Sequence, residues 1–152
     1  MRGYHRKLVS LLLITLLLPF SAFADDLIMR RIGMTFPETM NALQTAIVEE
    51  GFKVSRVQRV DIGLTSSGYN TAEYRIVFFM SEDVVHDIVK QHPELIAFLP
   101  LKITIFAEGS ETILVSLNPL KLAEFFPDLK MDKTFAFWND KVIRILDRVQ
   151  SE

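Results

Sequence analysis

Apolar positions recur at helical spacing in three stretches of the chain, and at the two-residue spacing of strands between them. The first helix is predicted to start at Thr35-Phe36-Pro37-Glu38. Thr35 and Glu38 stand at capping-box distance, and Pro37 falls in the first turn, where no amide partner is lost. Phe36, Met40, Leu43 and Ile47 then mark one face, and Gly51 stops the helix as the glycine after its last turn. Ser81, with Glu82 and Asp83 behind it, predicts a second start, followed by a stripe of Val84, Val85, Ile88 and Val89 that Pro93 ends. The third stripe, Phe135, Trp138, Val142, Ile145 and Val149, is the clearest, with Asp132 expected to cap it.

Between these lie the strand patterns. Leu27–Met34 reads as a first strand, interrupted by Arg30 and Arg31. Phe52 and Val54 alternate with Lys53 and Ser55, and Val60, Ile62 and Leu64 continue the same parity while Val57 does not. A strand with a bulge between Ser55 and Arg59 accounts for the slip. Residues 65–71 read as a loop. The run from Ala72 to Met80 is apolar on both faces, which predicts an interior strand covered on both sides, or covered on one side and at a subunit contact. Leu101–Ala107 and Thr112–Leu117 read as a hairpin across Glu108-Gly109-Ser110-Glu111, and Leu120–Phe126 as a short helical or irregular piece. The order is β-α-β-β-α-β-β-α. It predicts an α+β domain: a largely antiparallel sheet with helices over one face.

The start of the chain follows a different pattern. Arg2, His5, Arg6 and Lys7 precede the apolar run Leu8–Leu18, and Ser21-Ala22-Phe23-Ala24 stands before Asp25. A basic end, a short apolar core and small residues at the cut are the layout of an export signal. The apolar core is shorter than the roughly 20 residues a spanning helix needs. Residues 1–24 are therefore expected to be removed after Ala24, leaving a single periplasmic or secreted domain over 25–152 with no integral membrane segment. Removal takes three of the 17 basic residues and none of the 19 acidic ones, so 14 bases face 19 acids and the formal charge becomes −5.

That charge argues against nucleic acid as a partner. The chain holds no Cys, which excludes disulfides, thiolate chemistry and cysteine metal sites. Two histidines, His86 and His92, follow the expected cut. Six residues apart, they point in different directions on one helix, although Glu82, Asp83, Asp87 and Glu94 lie near. A solvated helix face is the plainer account of them. Ser66 and Ser67 in Gly63-Leu64-Thr65-Ser66-Ser67-Gly68 do not form a nucleophile elbow. Arg30, Arg31, Arg56 and Arg59 would gather into an anion site if the first two strands were neighbours; otherwise they are edge-strand charges. Phe125, Phe126 and Phe137 exceed what the last helix can bury, which suits an apolar ligand, a subunit interface or a completed core.

Several segments together resemble a bacterial family, domain-of-unknown-function family 302. They are Phe36-Pro37-Glu38-Thr39 with Glu50-Gly51-Phe52-Lys53-Val54, then Val60-Asp61, Tyr74–Phe79, His92-Pro93, Leu99-Pro100-Leu101-Lys102 and Ser116-Leu117-Asn118-Pro119. The resemblance implies a compact α+β fold, is compatible with homodimers, and implies no established reaction. The chain departs from the family pattern at Ile62, where members often carry His. It departs at Met80-Ser81-Glu82, where many carry a Gly/Cys-Asn-Pro turn, and at Leu101, where some carry Cys. Metal or redox chemistry resting on those groups is not carried over. The expected function is a non-catalytic exported domain, without cofactor, that binds a small apolar or lipid-like ligand or a protein partner, as a homodimer. Phe125, Phe126, Phe137, Arg56 and Arg59 are the candidate contact residues. The alternative is a metal-dependent or hydrolytic enzyme using His86, His92 and the nearby acids.

Overall fold

The computed structural model describes residues 26–151. The expected signal segment and the cut after Ala24 lie outside the described residues.

Five strands form one antiparallel sheet in the order β1-β5-β4-β3-β2. They are β1 (Leu27–Ile32), β2 (Val54–Arg59), β3 (Tyr74–Phe79), β4 (Leu101–Glu108) and β5 (Glu111–Leu117). The helices are α1 (Phe36–Glu49), α2 (Val60–Ser66), α3 (Glu82–Gln91), α4 (Lys121–Phe125) and α5 (Asp132–Gln150), with 3-10 turns at Pro93–Ala97 and Pro127–Leu129. This is the expected α+β architecture. The register shift between Val54 and Arg56 is the expected bulge.

The core is a single layer between sheet and helices. The strands contribute Ile28, Val77, Phe79, Ile103, Ile105 and Leu114; α1 contributes Leu43 and Ile47; α5 contributes Phe135, Trp138, Val142 and Ile145. Both apolar stripes thus face the sheet at the spacing seen in the sequence. Glu38 closes the start of α1 by accepting from the Thr35 amide (3.0 Å) and hydroxyl (2.6 Å). These two bonds hold the Glu38 carboxyl below its ordinary pKa, the hydroxyl contributing most. Gly51 follows α1 at φ +86°, a left-handed conformation that side chains resist.

A buried ionic group ties α1 to α5. Glu50, at the C-terminus of α1, has a side chain only 7% exposed. Its carboxylate meets Arg148 Nη2 at 2.8 Å, Lys141 Nζ at 3.2 Å and Arg144 Nε at 3.3 Å. Lys141 also donates to the Glu50 carbonyl (2.9 Å). An acid at a helix C-terminus is unfavourable to the dipole, and the three α5 cations offset it. The Arg148 hydrogen bond, opposed by burial and aided by Lys141 and Arg144, pulls the Glu50 carboxyl below its ordinary pKa.

Three local readings are corrected. Val60, Ile62 and Leu64 do not extend the second strand: the chain turns at Arg59 into α2, so that their alternation is a short helix rather than one sheet face. That helix also takes the first two residues of the expected 65–71 loop. The last helix is preceded by Met131, and Asp132 is its first residue rather than its cap.

Candidate functional site

The face of the sheet turned away from the helices carries a row of apolar side chains. In β3, Val77 and Phe79 point inward and are fully buried. Tyr74, Ile76 and Phe78 point outward, opposite Phe106, Thr104 and Lys102 of β4, and all three are half-buried. Val115 and Leu117 continue the outer row on β5, opposite Met29 and Leu27 of β1, each 52% exposed. The helices that contact the sheet most closely, α1 against β2, β4 and β5 and α5 against β1, bury the opposite parity. The doubly apolar β3 is therefore covered by helices on one face only. Tyr74 and Phe106 meet edge to face across the outer row, ring centroids 6.4 Å apart.

The charges of this face lie at its two ends. At the β4–β5 turn, Arg31 bridges Glu108 (2.6 Å) and Glu111 (2.8 Å), leaving that corner one charge negative. At the other end of the strands, Lys102 and Arg56 flank Phe78.

A second, polar site sits on the inner side at the β2–α2 corner, which the strand reading of Val60–Leu64 concealed. Asp61 and Arg75 are 13% and 14% exposed, with Oδ2 and Nη2 3.4 Å apart. Arg75 also lies over the Phe36 ring at 4.6 Å and reaches Glu73 at 3.7 Å. Asp61 Oδ1 is buried without a hydrogen-bond partner. A cavity of about 420 Å³ opens beside it, lined by Asp61, Ile62, Thr65, Ser66, Thr71 and Glu73. The corner offers acceptor oxygens to a hydrogen-bond donor. It contains no nucleophile–base pair: the Ser66 and Ser67 hydroxyls both donate to the Gly63 carbonyl within α2.

The residues singled out in the sequence scatter. β1 and β2 are opposite edges of the sheet, so Arg30 and Arg31 stand four strands, roughly 19 Å, from Arg56 and Arg59. No anion site of four arginines forms. Arg30 pairs with Asp147 (2.7 Å), and Arg59 lies in register with Arg75. Phe125 and Phe126 gather around Phe98, centroids 6.0 and 5.5 Å away. Phe126 is half-buried against the core, whereas Phe125 remains 61% exposed. Phe137 is elsewhere, half-exposed on α5, with Lys141 Nζ 5.7 Å from its ring. His86 is 76% exposed beside Asp87, at the rim of a small groove of about 240 Å³ lined by Ser55, Met80, Val85 and Pro100. His92 ends α3. Among the described residues, no three His, Asp or Glu side chains converge on a metal position. No helix among them is long and apolar enough to cross a membrane.

A family model described as "Domain of unknown function DUF302" matches residues 29–150. Comparison with the curated proteins gave no match. Among solved structures, the chain is similar to the crystal structure of an uncharacterized conserved protein DUF302 from Bacillus stearothermophilus. The TM-score is 0.74 at 20% identity, over 83% of this chain and 99% of the other. At that identity the likeness speaks for the fold.

Proposed function

The chain belongs to the DUF302 family, and on that premise we propose that it is a non-catalytic binding domain whose uncovered sheet face takes a protein surface, first of all a second copy of itself. Export after removal of residues 1–24 is part of the proposal, resting on the basic-apolar-small layout of the N-terminus.

The observation that carries this reading is the outer face itself. Exposed contiguous apolar patches on small proteins mark interaction sites. Five strands spaced about 4.8 Å and about six residues long give a face of roughly 24 by 20 Å. With side-chain relief added, that is of the order of the ~800 Å² per partner buried in standard interfaces. A broad face of aromatic and β-branched residues suits another sheet better than it suits a small apolar ligand, which needs concavity. The charges agree with a pair of copies. When a twofold axis crosses the strands, the Glu108/Glu111 end of one copy lies over the Lys102/Arg56 end of the other.

The enzyme alternative draws on His86 and His92, and no observation favours it: His86 is solvated and His92 sits at the end of α3. The test is the molar mass of the purified protein by light scattering at micromolar concentration. A dimer that Ile76→Glu converts to a folded monomer supports the reading. A wild-type monomer, or a dimer indifferent to Ile76→Glu, overturns it.

A further inference from the structure

We infer that the cavity at the β2–α2 corner binds a primary ammonium group carried on a short aliphatic stem, with Asp61 and Glu73 as its anionic partners. The corner lies on the inner side of the sheet, and the inference does not rest on the outer face.

The cavity measures about 420 Å³ and is lined by Asp61, Ile62, Thr65, Ser66, Thr71 and Glu73. That is within the range of small-molecule sites. Among the described residues, Asp61 Oδ1 is the buried side-chain polar atom that has no hydrogen-bond partner. Buried polar atoms in native proteins are almost always paired, and an unmet one is costly, more so when it carries charge. The other oxygen, Oδ2, meets Arg75 at 3.4 Å, and Glu73 meets the same guanidinium at 3.7 Å. Both distances exceed the roughly 2.7–2.9 Å of a strong charge-assisted hydrogen bond, so Arg75 leaves both carboxylates underserved. Turning the Asp61 carboxylate about χ2, a soft torsion, brings the unmet oxygen to a ligand in the cavity.

The rest of the lining selects the ligand. The Ser66 hydroxyl donates to the Gly63 carbonyl at 2.8 Å, and the Thr71 hydroxyl to the Ala72 carbonyl at 3.1 Å. A hydroxyl has one proton, so both oxygens have only lone pairs left to offer. Asp61 and Glu73 are acceptors too, and no Lys, Arg or His lines the cavity. A donor is therefore selected over an acceptor. Two carboxylates against the one guanidinium of Arg75 leave the corner one charge negative, which selects a cation. Among the described residues no third acid or histidine joins the two to complete a metal-ligand set. An ammonium needs no such set: it presents three protons from one point and no acceptor. Ile62, 49% exposed, lines the same cavity and gives an aliphatic stem its apolar surface.

The experiment is a titration of the full chain, as its cell delivers it, with n-butylammonium chloride at pH 7, followed by amide NMR shifts. Saturable shifts are expected at Asp61, Ile62, Thr65, Ser66 and Glu73. Butan-1-ol, of the same length without the charge, should give none at equal concentration. The Glu73 side chain is 48% exposed, so Glu73→Gln should fold, and its affinity should fall at least fivefold. Nα-acetyl-lysine methylamide is titrated in parallel: tighter binding of butylammonium assigns a free amine, and tighter binding of the blocked lysine assigns a side chain of a partner protein. No shift at tens of millimolar of either ammonium, shifts confined to other surfaces, equal binding of butan-1-ol, or unchanged affinity in folded Glu73→Gln each overturns the inference. The butan-1-ol comparison uses the unaltered protein, so the test stands even if the variant fails to fold.

Discussion

Arg148 Nη2 lies 2.8 Å from Glu50 Oε1, so the last turn of α5 holds the end of α1 through a carboxylate that is 7% exposed. The folded-state pKa of Glu50 is depressed below its ordinary 4.5. Its stabilisation is therefore present above that ordinary value and is lost as pH falls through the lower folded value. Glu50→Gln should cost about 1–2 kcal/mol at neutral pH, the solvent exposure of Arg144 and Arg148 keeping the figure modest. The gap between variant and wild type should close in urea unfolding as pH falls below that lowered folded value, since protonation then removes the same charge from the wild type.

Arg75 is held among Asp61, Glu73 and the Phe36 ring, and Asp61 already has one oxygen unmet. Arg75→Met should leave a nearly buried carboxylate without its cation and cost about 2–4 kcal/mol. Adding Asp61→Leu to that variant should restore part of the loss. A double-mutant cycle by chemical denaturation measures the coupling. Equal and additive losses would refute the pairing.

Phe106 stands on the outer face against Tyr74 and is half-buried. Phe106→Glu should shift the dimer toward monomer by at least tenfold in dissociation constant while leaving the thermal transition of the monomer within a few degrees. Raising the salt concentration should weaken the proposed dimer as well, because in the proposed twofold pair the Glu108/Glu111 end of one copy meets the Lys102/Arg56 end of the other. Sedimentation at several concentrations reads both effects.

Intact mass should place the N-terminus at Asp25 when the gene is expressed in a cell with a secretory pathway. Ala24→Leu should block the cut, because the peptidase takes only small side chains there. A mature species that still carries residues 1–24 would refute the export reading.

The long amphipathic helices were legible because three or more turns of apolar periodicity leave no rival pattern: Phe36–Ile47 and Phe135–Val149 fall where the stripes place them. Val60, Ile62 and Leu64 were not. Seven residues are too few to separate a strand period from a helical one, and the turn at Arg59 decides the matter through tertiary contacts between α2 and β3. The arginine cluster was misjudged for a related reason. Local pattern identifies strands but not their neighbours, and β1 pairs with β5 rather than β2. The Asp61 corner was hidden behind the misread helix.

The pairing of Leu27 with Leu117 gives assembly a direction. The first strand to leave the ribosome waits for the last strand of the sheet, so β1 has no place to dock until the β4–β5 hairpin exists. Contacts this distant along the chain make folding slow relative to local helix formation. A chain cut before residue 111 would lack β5 and leave Ile28 and Ile32 without their strand partner. The sheet thus acts as a length check: it closes only once the chain has been made through β5.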